Sequence, residues 1–270
     1  MTELAGKKVL ITGAASGIGR LLAQKIAARG ADLMLWDVDA DGLQELAGDV
    51  EGLRGRATVH RVDVSDRHAV RATARDVLNN HGAVDVLINN AGVVAGKPLL
   101  ELSDEEIERT LDINAMAHFW TVRAFLPAMI ERDSGHIVTV ASAGGLVAAP
   151  RLSDYSASKF AAVGFDEALR LELRQQGLRI KTTLVCPFYV KTGMFEGVKT
   201  RFPWLLPLAE PAYVADRIVA AIEKDHRRLI TPWFAYVAFP LRLLPVRWFD
   251  ALVDFFGISR GMDDFQGRHG

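Results

Sequence analysis

An apolar, β-branched run followed at once by three close glycines is what most limits the folds open to this chain. In VLITGAASGIGRLLAQ (residues 9–24), Gly13, Gly17 and Gly19 stand between a strand-like segment and an amphipathic helical one. Glycines in such a turn let the backbone approach a pyrophosphate. The helix beyond offers unpaired N–H groups and the positive end of its dipole. The spacing is T-G-x-x-x-G-x-G with Thr12 first, not G-x-G-x-x-G. A glycine triplet alone is a weak signal; a strand before it and a helix after it are the context that makes it a phosphate-binding turn.

The rest of the chain repeats that alternation. Strand-like runs are KKVLIT, ADLMLW, ATVHRV, VDVLINN, GHIVTVAS, RIKTTLVC and, last, RRLITP. Helical stretches between them include GIGRLLAQKIAARG, SDRHAVRATARDVLNNHG, IERTLDINAMAHFWTVRAFLPAMIERD and PAYVADRIVAAIEKD. Short strands alternating with longer helices predict βαβ units. The fold class is therefore α/β: a doubly wound, mostly parallel seven-stranded sheet with helices on both faces, Rossmann-type, in a single domain over 1–270. Half of the residues are hydrophobic, enough for a substantial core. The acidic run SDEEIE at 103–108 reads as a helix start with Ser103 as N-cap. After Cys186 the chain turns proline- and aromatic-rich without a clear period. Residues 193–210 read as a substrate loop, and 227–270 as an apolar C-terminal extension.

Several function classes are disfavoured. A net charge of −1, from 32 basic and 33 acidic residues, gives no reason to expect a nucleic-acid partner. The single cysteine, Cys186, forms no internal disulfide and reads as a packing residue in TTLVCP. The histidines do not make a metal set: His60, His68 and His81 are scattered, and His118 and His136 read as packing or hydrogen-bonding residues. The N-terminal MTELAGKKVLITG has no apolar h-region, which makes a cytoplasmic location the default expectation.

Two further features carry chemistry. Asp37 lies 18 residues after Gly19, near the roughly 20 expected for an acid that binds the adenosine ribose hydroxyls. A carboxylate there repels a 2′-phosphate and favours NAD over NADP, unless Arg20 reaches the same pocket. In SDYSASKFAAVGF (153–165), Tyr155 and Lys159 share one helix face. Such a pair is either an ordinary surface pair or an acid–base device. A phenol titrates near 10, and a neighbouring ammonium favours its ionised form.

Taken in order, TGAASGIG (12–19), DV (63–64), NNAG (89–92), Asn114 in LDINAMAHF, Ser142 in VTVASAGG, YSASK (155–159) and CPFYVKTGMF (186–195) resemble the short-chain dehydrogenase/reductase superfamily. The resemblance covers roughly residues 5–225. It implies that Tyr155 is the general acid–base at the carbinol oxygen, with Ser142 orienting that oxygen. Lys159 would assist the phenolate and bind the nicotinamide ribose, and Asn114 would hold a water for proton relay. Gly13, Ser16, Gly17, Ile18 and Gly19 would hold the cofactor at the turn. Asp63 would contact the adenine amino group, and Val64 would donate its backbone N–H. Asn90, Ala91 and Gly92 would line the adenosine side, and Pro187, Val190 and Thr192 would face the carboxamide and phosphates. The family commonly has glycine after that proline; this chain has Phe188, which bears on the local backbone path and the substrate pocket.

The segments PFYVKTGMFEG, LLPLAEP and FFGISRGMDDF look similar to the branch of epidermal-type retinol and lipid-droplet 17β-hydroxysteroid dehydrogenases. That implies hydrogen transfer between NAD and a hydrophobic alcohol or carbonyl of lipid, steroid or retinoid type. In the tail, the longest uncharged run is 13 residues, Leu229 to Leu241, interrupted by Pro232 and Pro240. It is too short to span a bilayer. With Trp233, Trp248, Arg227, Arg228, Arg242 and Arg247, the tail suits either peripheral membrane contact or a cover over the active site or a subunit interface. The family's usual assembly implies a homodimer or homotetramer, with helices around 106–131 and 153–176 at the interface. Alternatives are an NADP-dependent ketone or 3-oxoacyl reductase, a non-catalytic nucleotide-sensing protein, and a membrane-interface protein.

Overall fold

A computed structural model of the chain describes residues 1–204 and 206–267. Leu205 in the expected substrate loop and residues 268–270 of the expected extension lie outside the described residues.

Seven short strands form one sheet: β1 (Lys8–Thr12), β2 (Asp32–Asp37), β3 (Ala57–Arg61), β4 (Val86–Asn89), β5 (His136–Val140), β6 (Lys181–Pro187) and β7 (Arg228–Thr231). Their order is β3-β2-β1-β4-β5-β6-β7, and every neighbouring pair is parallel. Alternate strand residues face opposite sides, and the sequence supplies apolar residues at both. Val9, Ile11, Leu33, Leu35, Val86, Ile88, Val138 and Val185 pack under α1 (Gly17–Ala27), α2 (Ala40–Glu51) and α7 (Pro211–Glu223). Leu10, Met34, Trp36, Leu87 and Ile137 pack on the other face under α3 (Arg67–His81), α5 (Ala117–Glu131) and α6 (Ser153–Gln175). This is why the strands read as near-continuous apolar runs: a sheet covered on both faces has no polar side.

The expected helix over 106–131 is not continuous. It comprises α4 (Asp104–Leu111), a five-residue π segment (Asp112–Met116) and α5. Ser103 caps α4 as expected: it accepts from the Glu106 N–H while the Glu106 carboxylate accepts from the Ser103 N–H. After β7 the chain forms two short helices, α8 (Ala238–Leu241) and α9 (Val246–Phe255). The stretch from residue 227 therefore begins inside the sheet, and its non-sheet part starts at Pro232. Among the described residues no helix is long and apolar enough to cross a membrane.

Strand order reverses between β1 and β4, and loops from adjacent strand ends part there. In open α/β sheets that crevice, at the carboxyl ends of the strands, is where ligands bind.

Candidate active site

The turn after β1 is built by tight backbone approach. Gly13 (φ +65°) passes so close to the β4 loop that a Cβ on it would lie 2.8 Å from the Ala91 Cα. A Cβ on Gly19 would lie 1.9 Å from the Gly13 carbonyl oxygen. Gly17 (φ +56°) is different: its nearest atoms belong to the Thr192 side chain at 3.5 Å, so its backbone faces an open cleft. The Asn90 amide donates to the carbonyls of Thr12 and Gly13 at 3.0 Å each, and the Thr12 hydroxyl accepts from the N–H groups of Asn90 and Ala91. Thr12 and Asn90 thus join the two loops on either side of the crevice.

One elongated cavity runs along this crevice. Its walls include Gly13, Ser16, Gly17 and Ile18 at the turn, Asp37 at the end of β2, and Asp63 and Val64 after β3. Asn90, Ala91 and Gly92 follow after β4, then Ser142, Tyr155, Lys159, Pro187, Val190 and Thr192. Of the residues expected at the site, Gly19 and Asn114 are the two that stand behind this lining. The cleft suits a dinucleotide: an exposed glycine backbone at a helix N-terminus, an acid at one end and apolar walls between.

Asp37 is held in place by its own backbone surroundings. Its carboxylate accepts from the N–H groups of Ala15 (2.9 Å), Val38 (2.8 Å) and Asp39 (3.1 Å). Arg20 does not share its pocket; the guanidinium pairs with Asp49 at 2.8 Å and Glu45 at 3.3 Å instead.

Asn114 lies in the π segment and is fully buried. Its Oδ1 accepts from the Val93 N–H at 2.8 Å, and its Nδ2 donates to the Val93 carbonyl and the Ser158 hydroxyl. Both amide hydrogens are thereby used, so the side chain clamps the β4 loop to α6 instead of offering a donor to water.

Tyr155 and Lys159 are both buried, not a surface pair. The Lys159 ammonium donates to the Val140 carbonyl at 3.0 Å and sits 5.7 Å from the Tyr155 ring centroid. Burial holds the Lys159 ammonium down to about 8. The same burial pushes the Tyr155 phenol up to about 12, with the Ser142 hydroxyl pulling the other way. Desolvation is the largest influence on the phenol in this setting. Ser142 also accepts from the Gly144 N–H at 3.0 Å, which orients its hydroxyl oxygen. Cys186 is buried against Leu184 and Ala162, its thiol pushed up to about 12 by burial, as suits a packing residue.

A second cavity adjoins the first and is almost wholly apolar. Leu146, Leu152, Tyr189, Leu206, Phe234 and Leu241 line it, with Phe249, Leu252, Val253 and Phe256 of the α9 region. Ser142, Tyr155, Phe188 and Phe195 belong to both cavities. Phe188 causes no backbone strain, because its φ is not positive; its ring stacks edge-on against Tyr189 at 4.8 Å.

Several lining residues were not anticipated. Arg109 and Ile113 reach the first cavity from one helical face, one turn apart. Met194 and Phe195 do so from the loop after Thr192. The signal for the α9 wall was present as apolar residues at 249, 252, 253 and 256, the i, i+3, i+4, i+7 spacing of an inward helix face.

Comparison with known proteins agrees with this geometry. Residues 7–201 match the model of the family described as short chain dehydrogenase. Human epidermal retinol dehydrogenase 2 is 45% identical over 268 residues, 97% of this chain and 86% of that protein. A short-chain dehydrogenase/reductase from Burkholderia phymatum, solved in complex with NAD, superposes with a TM-score of 0.80 at 32% identity, over 90% of this chain and 95% of that one. A metagenomic short-chain oxidoreductase in complex with NADP gives 0.71 at 32% identity, over 82% and 92% respectively.

Proposed function

Because the chain belongs to the short-chain dehydrogenase family of nicotinamide-dependent oxidoreductases, we propose that it interconverts a hydrophobic alcohol and its carbonyl with NAD, Tyr155 transferring the proton. The observation that carries this reading is the shared wall: Ser142 and Tyr155 stand where a dinucleotide-shaped cleft meets an apolar cavity. An alcohol seated in the apolar cavity would find those two hydroxyls where the cavity meets the cleft.

The glycine turn with Ser16 and Ile18 would hold the pyrophosphate, Asp37 the adenosine ribose, and Asp63 and Val64 the adenine. Asn90, Ala91 and Gly92 would form the floor of the cleft, with Pro187, Val190 and Thr192 over the nicotinamide half. When bound, the oxidised cofactor supplies a hydride acceptor and a positive ring charge that favours the phenolate. Ser142 orients the substrate oxygen by hydrogen bonding. Tyr155 Oη takes the carbinol proton in oxidation and returns it in reduction. Lys159, whose ammonium is easily discharged in this buried setting, would hold the ribose and pass the proton on. Asn114 fixes the loop carrying Val93 and Gly92 beneath them, and any relayed water would be held by main-chain groups there. NAD is preferred because the Asp37 carboxylate is fixed at the ribose end while Arg20 is committed to Asp49 and Glu45.

The test is reduction of NAD and of NADP by the purified protein with short-chain, long-chain, steroid and retinoid alcohols. Turnover with the larger alcohols and NAD is expected. Tyr155→Phe should lower kcat by about 10²–10⁴-fold while leaving NAD binding intact. Tight NAD binding with no turnover on any alcohol would favour a nucleotide sensor.

A further inference from the structure

The chain does not stop at the wall of the apolar cavity. Beyond α9, residues 261–266 dock into two slots that only glycine leaves open. Gly96, in the loop after β4, has φ +70°, and a Cβ there would lie 2.1 Å from the Phe265 ring. Gly197, in the substrate loop, has φ +86°, and a Cβ there would lie 2.0 Å from the Asp264 carbonyl oxygen. Met262 is 1% exposed and packs with Leu152, Val198 and Tyr155 itself, while Phe265 packs against the same cluster with Phe195 and Tyr189.

Polar contacts fix the register. The Lys199 N–H donates to the Gly261 carbonyl at 3.1 Å, and the Gln266 N–H donates to the Glu196 carbonyl at 2.9 Å. The Lys199 ammonium meets the Asp264 carboxylate at 2.7 Å. Phe195, immediately before the strapped stretch 196–199, sets its ring edge-on to Tyr155 at 5.6 Å and 84°.

We propose that residues 261–266 are a positioning element of the active site, a clasp that ties the substrate loop to the Gly96 loop and so holds Phe195 against Tyr155. Met262 and Phe265 are not themselves among the residues lining either cavity; they act through the lining residues they pack against, Phe195 above all. The clasp also closes a circuit, because Asn114 grips the same β4 loop at Val93, three residues before Gly96. Its effect on turnover rests on the dehydrogenase reading; its docking does not.

The experiment is a double-mutant cycle on the full chain, Gly96→Ala, Phe265→Ala and both, read by melting temperature and by kinetics. The Gly96→Ala methyl collides with the Phe265 ring, so removing that ring should recover part of its loss, and the double variant should melt above Gly96→Ala. Independent sites would add instead, and additivity would overturn the docking. In kinetics, Phe265→Ala should raise KM for a long-chain secondary alcohol roughly tenfold, as a small misplacement of a positioned group does, with 2-propanol little affected. Phe265→Leu should restore most of it. An equal loss with both alcohols would mean a structural tail and not a positioning one. If the wild-type protein turns over no alcohol of the short-chain, long-chain, steroid and retinoid panel, the dehydrogenase reading fails while the melting cycle still decides the clasp.

Discussion

Burial opposes the charged form of both Tyr155 and Lys159, and the two consequences differ. For the lysine it makes proton release easier; for the tyrosine it makes proton release harder, against the pull of the Ser142 hydroxyl. Asp37 poses a simpler case, since three backbone N–H groups fix its carboxylate at the end of the cleft where we propose that the adenosine ribose binds. Asp37→Ser should raise NADP use relative to NAD by about tenfold or more, because a like-charge contact costs several kcal/mol; steady-state kinetics with both cofactors reads it. Two buried histidines make a separate prediction. His136 is held down to about 4 by burial, with Asp225 working against the shift, and His118 to about 3 by burial and the Lys159 charge. A base with a depressed folded pKa gives stability that is complete above its ordinary 6.5 and lost as pH falls toward the folded value. Each should therefore contribute a slope of up to ~1.4 kcal/mol per pH unit from pH 6.5 down to about 4. Thermal melts across that range check it, and His136→Gln should flatten the curve.

At the level of elements, the first βα turn works because α1 is drawn hard against β1 and the β4 loop. Gly19→Ala places a methyl 1.9 Å from the Gly13 carbonyl oxygen and 2.7 Å from Asn90 Nδ2. The backbone must move, so a loss of about 1–3 kcal/mol is expected, with NAD affinity falling as well. Denaturant unfolding and cofactor titration measure the two effects separately. The π segment at 112–116 is the element least visible beforehand. LDINAMAH has the same helix-forming look as its flanks, and nothing local marks the extra residue in the turn. The cause is tertiary: Asn114 is pulled to Val93 and Ser158, and the helix widens there to let it reach.

For the whole molecule, α9 divides its two faces between two environments. Phe249, Leu252 and Val253 wall the apolar cavity, while Val246 and Trp248 point outward, Trp248 being 68% exposed. Trp204, Trp233 and Leu243 are exposed as well, and Arg247 lies next to Trp248 in the chain, whereas Arg242 turns inward to the Leu146 carbonyl at 2.7 Å and the Phe160 ring. We propose that these exposed aromatics, with Arg247 beside them in the chain, meet a lipid surface, a contact that would bring hydrophobic molecules to the apolar cavity. Co-sedimentation with anionic phospholipid vesicles should be strong for the wild type and weak for Val246→Ser/Trp248→Ser, with activity on a short alcohol retained. A wild type that stays in the supernatant would leave those aromatics as cover for a second copy of the chain. A homodimer through α5 and α6 is a separate proposal, suggested by Phe119 and Leu171, which stand exposed there; sedimentation velocity tests it.

Much of this was legible in the order of residues alone. Strand and helix existence follows from local periodicity, and the parallel sheet from their alternation. The glycine turn and Asp37 could be named from their spacing after a strand, and the other cleft residues from short motifs whose order resembles that of a known family. What the order of residues did not determine was anything set by contacts between distant segments. The apolar cavity needs Tyr189, Phe234 and Phe256 brought together from three separate stretches. The side-chain role of Asn114 depends on Val93 and Ser158, and the balance at Tyr155 depends on how dry its pocket is. Gly96 and Gly197 read as ordinary loop glycines until Phe265 and Asp264 come to rest on them. Local pattern encodes the backbone's preferences, whereas burial and close approach belong to the packed whole, and burial is what sets the chemistry of this site.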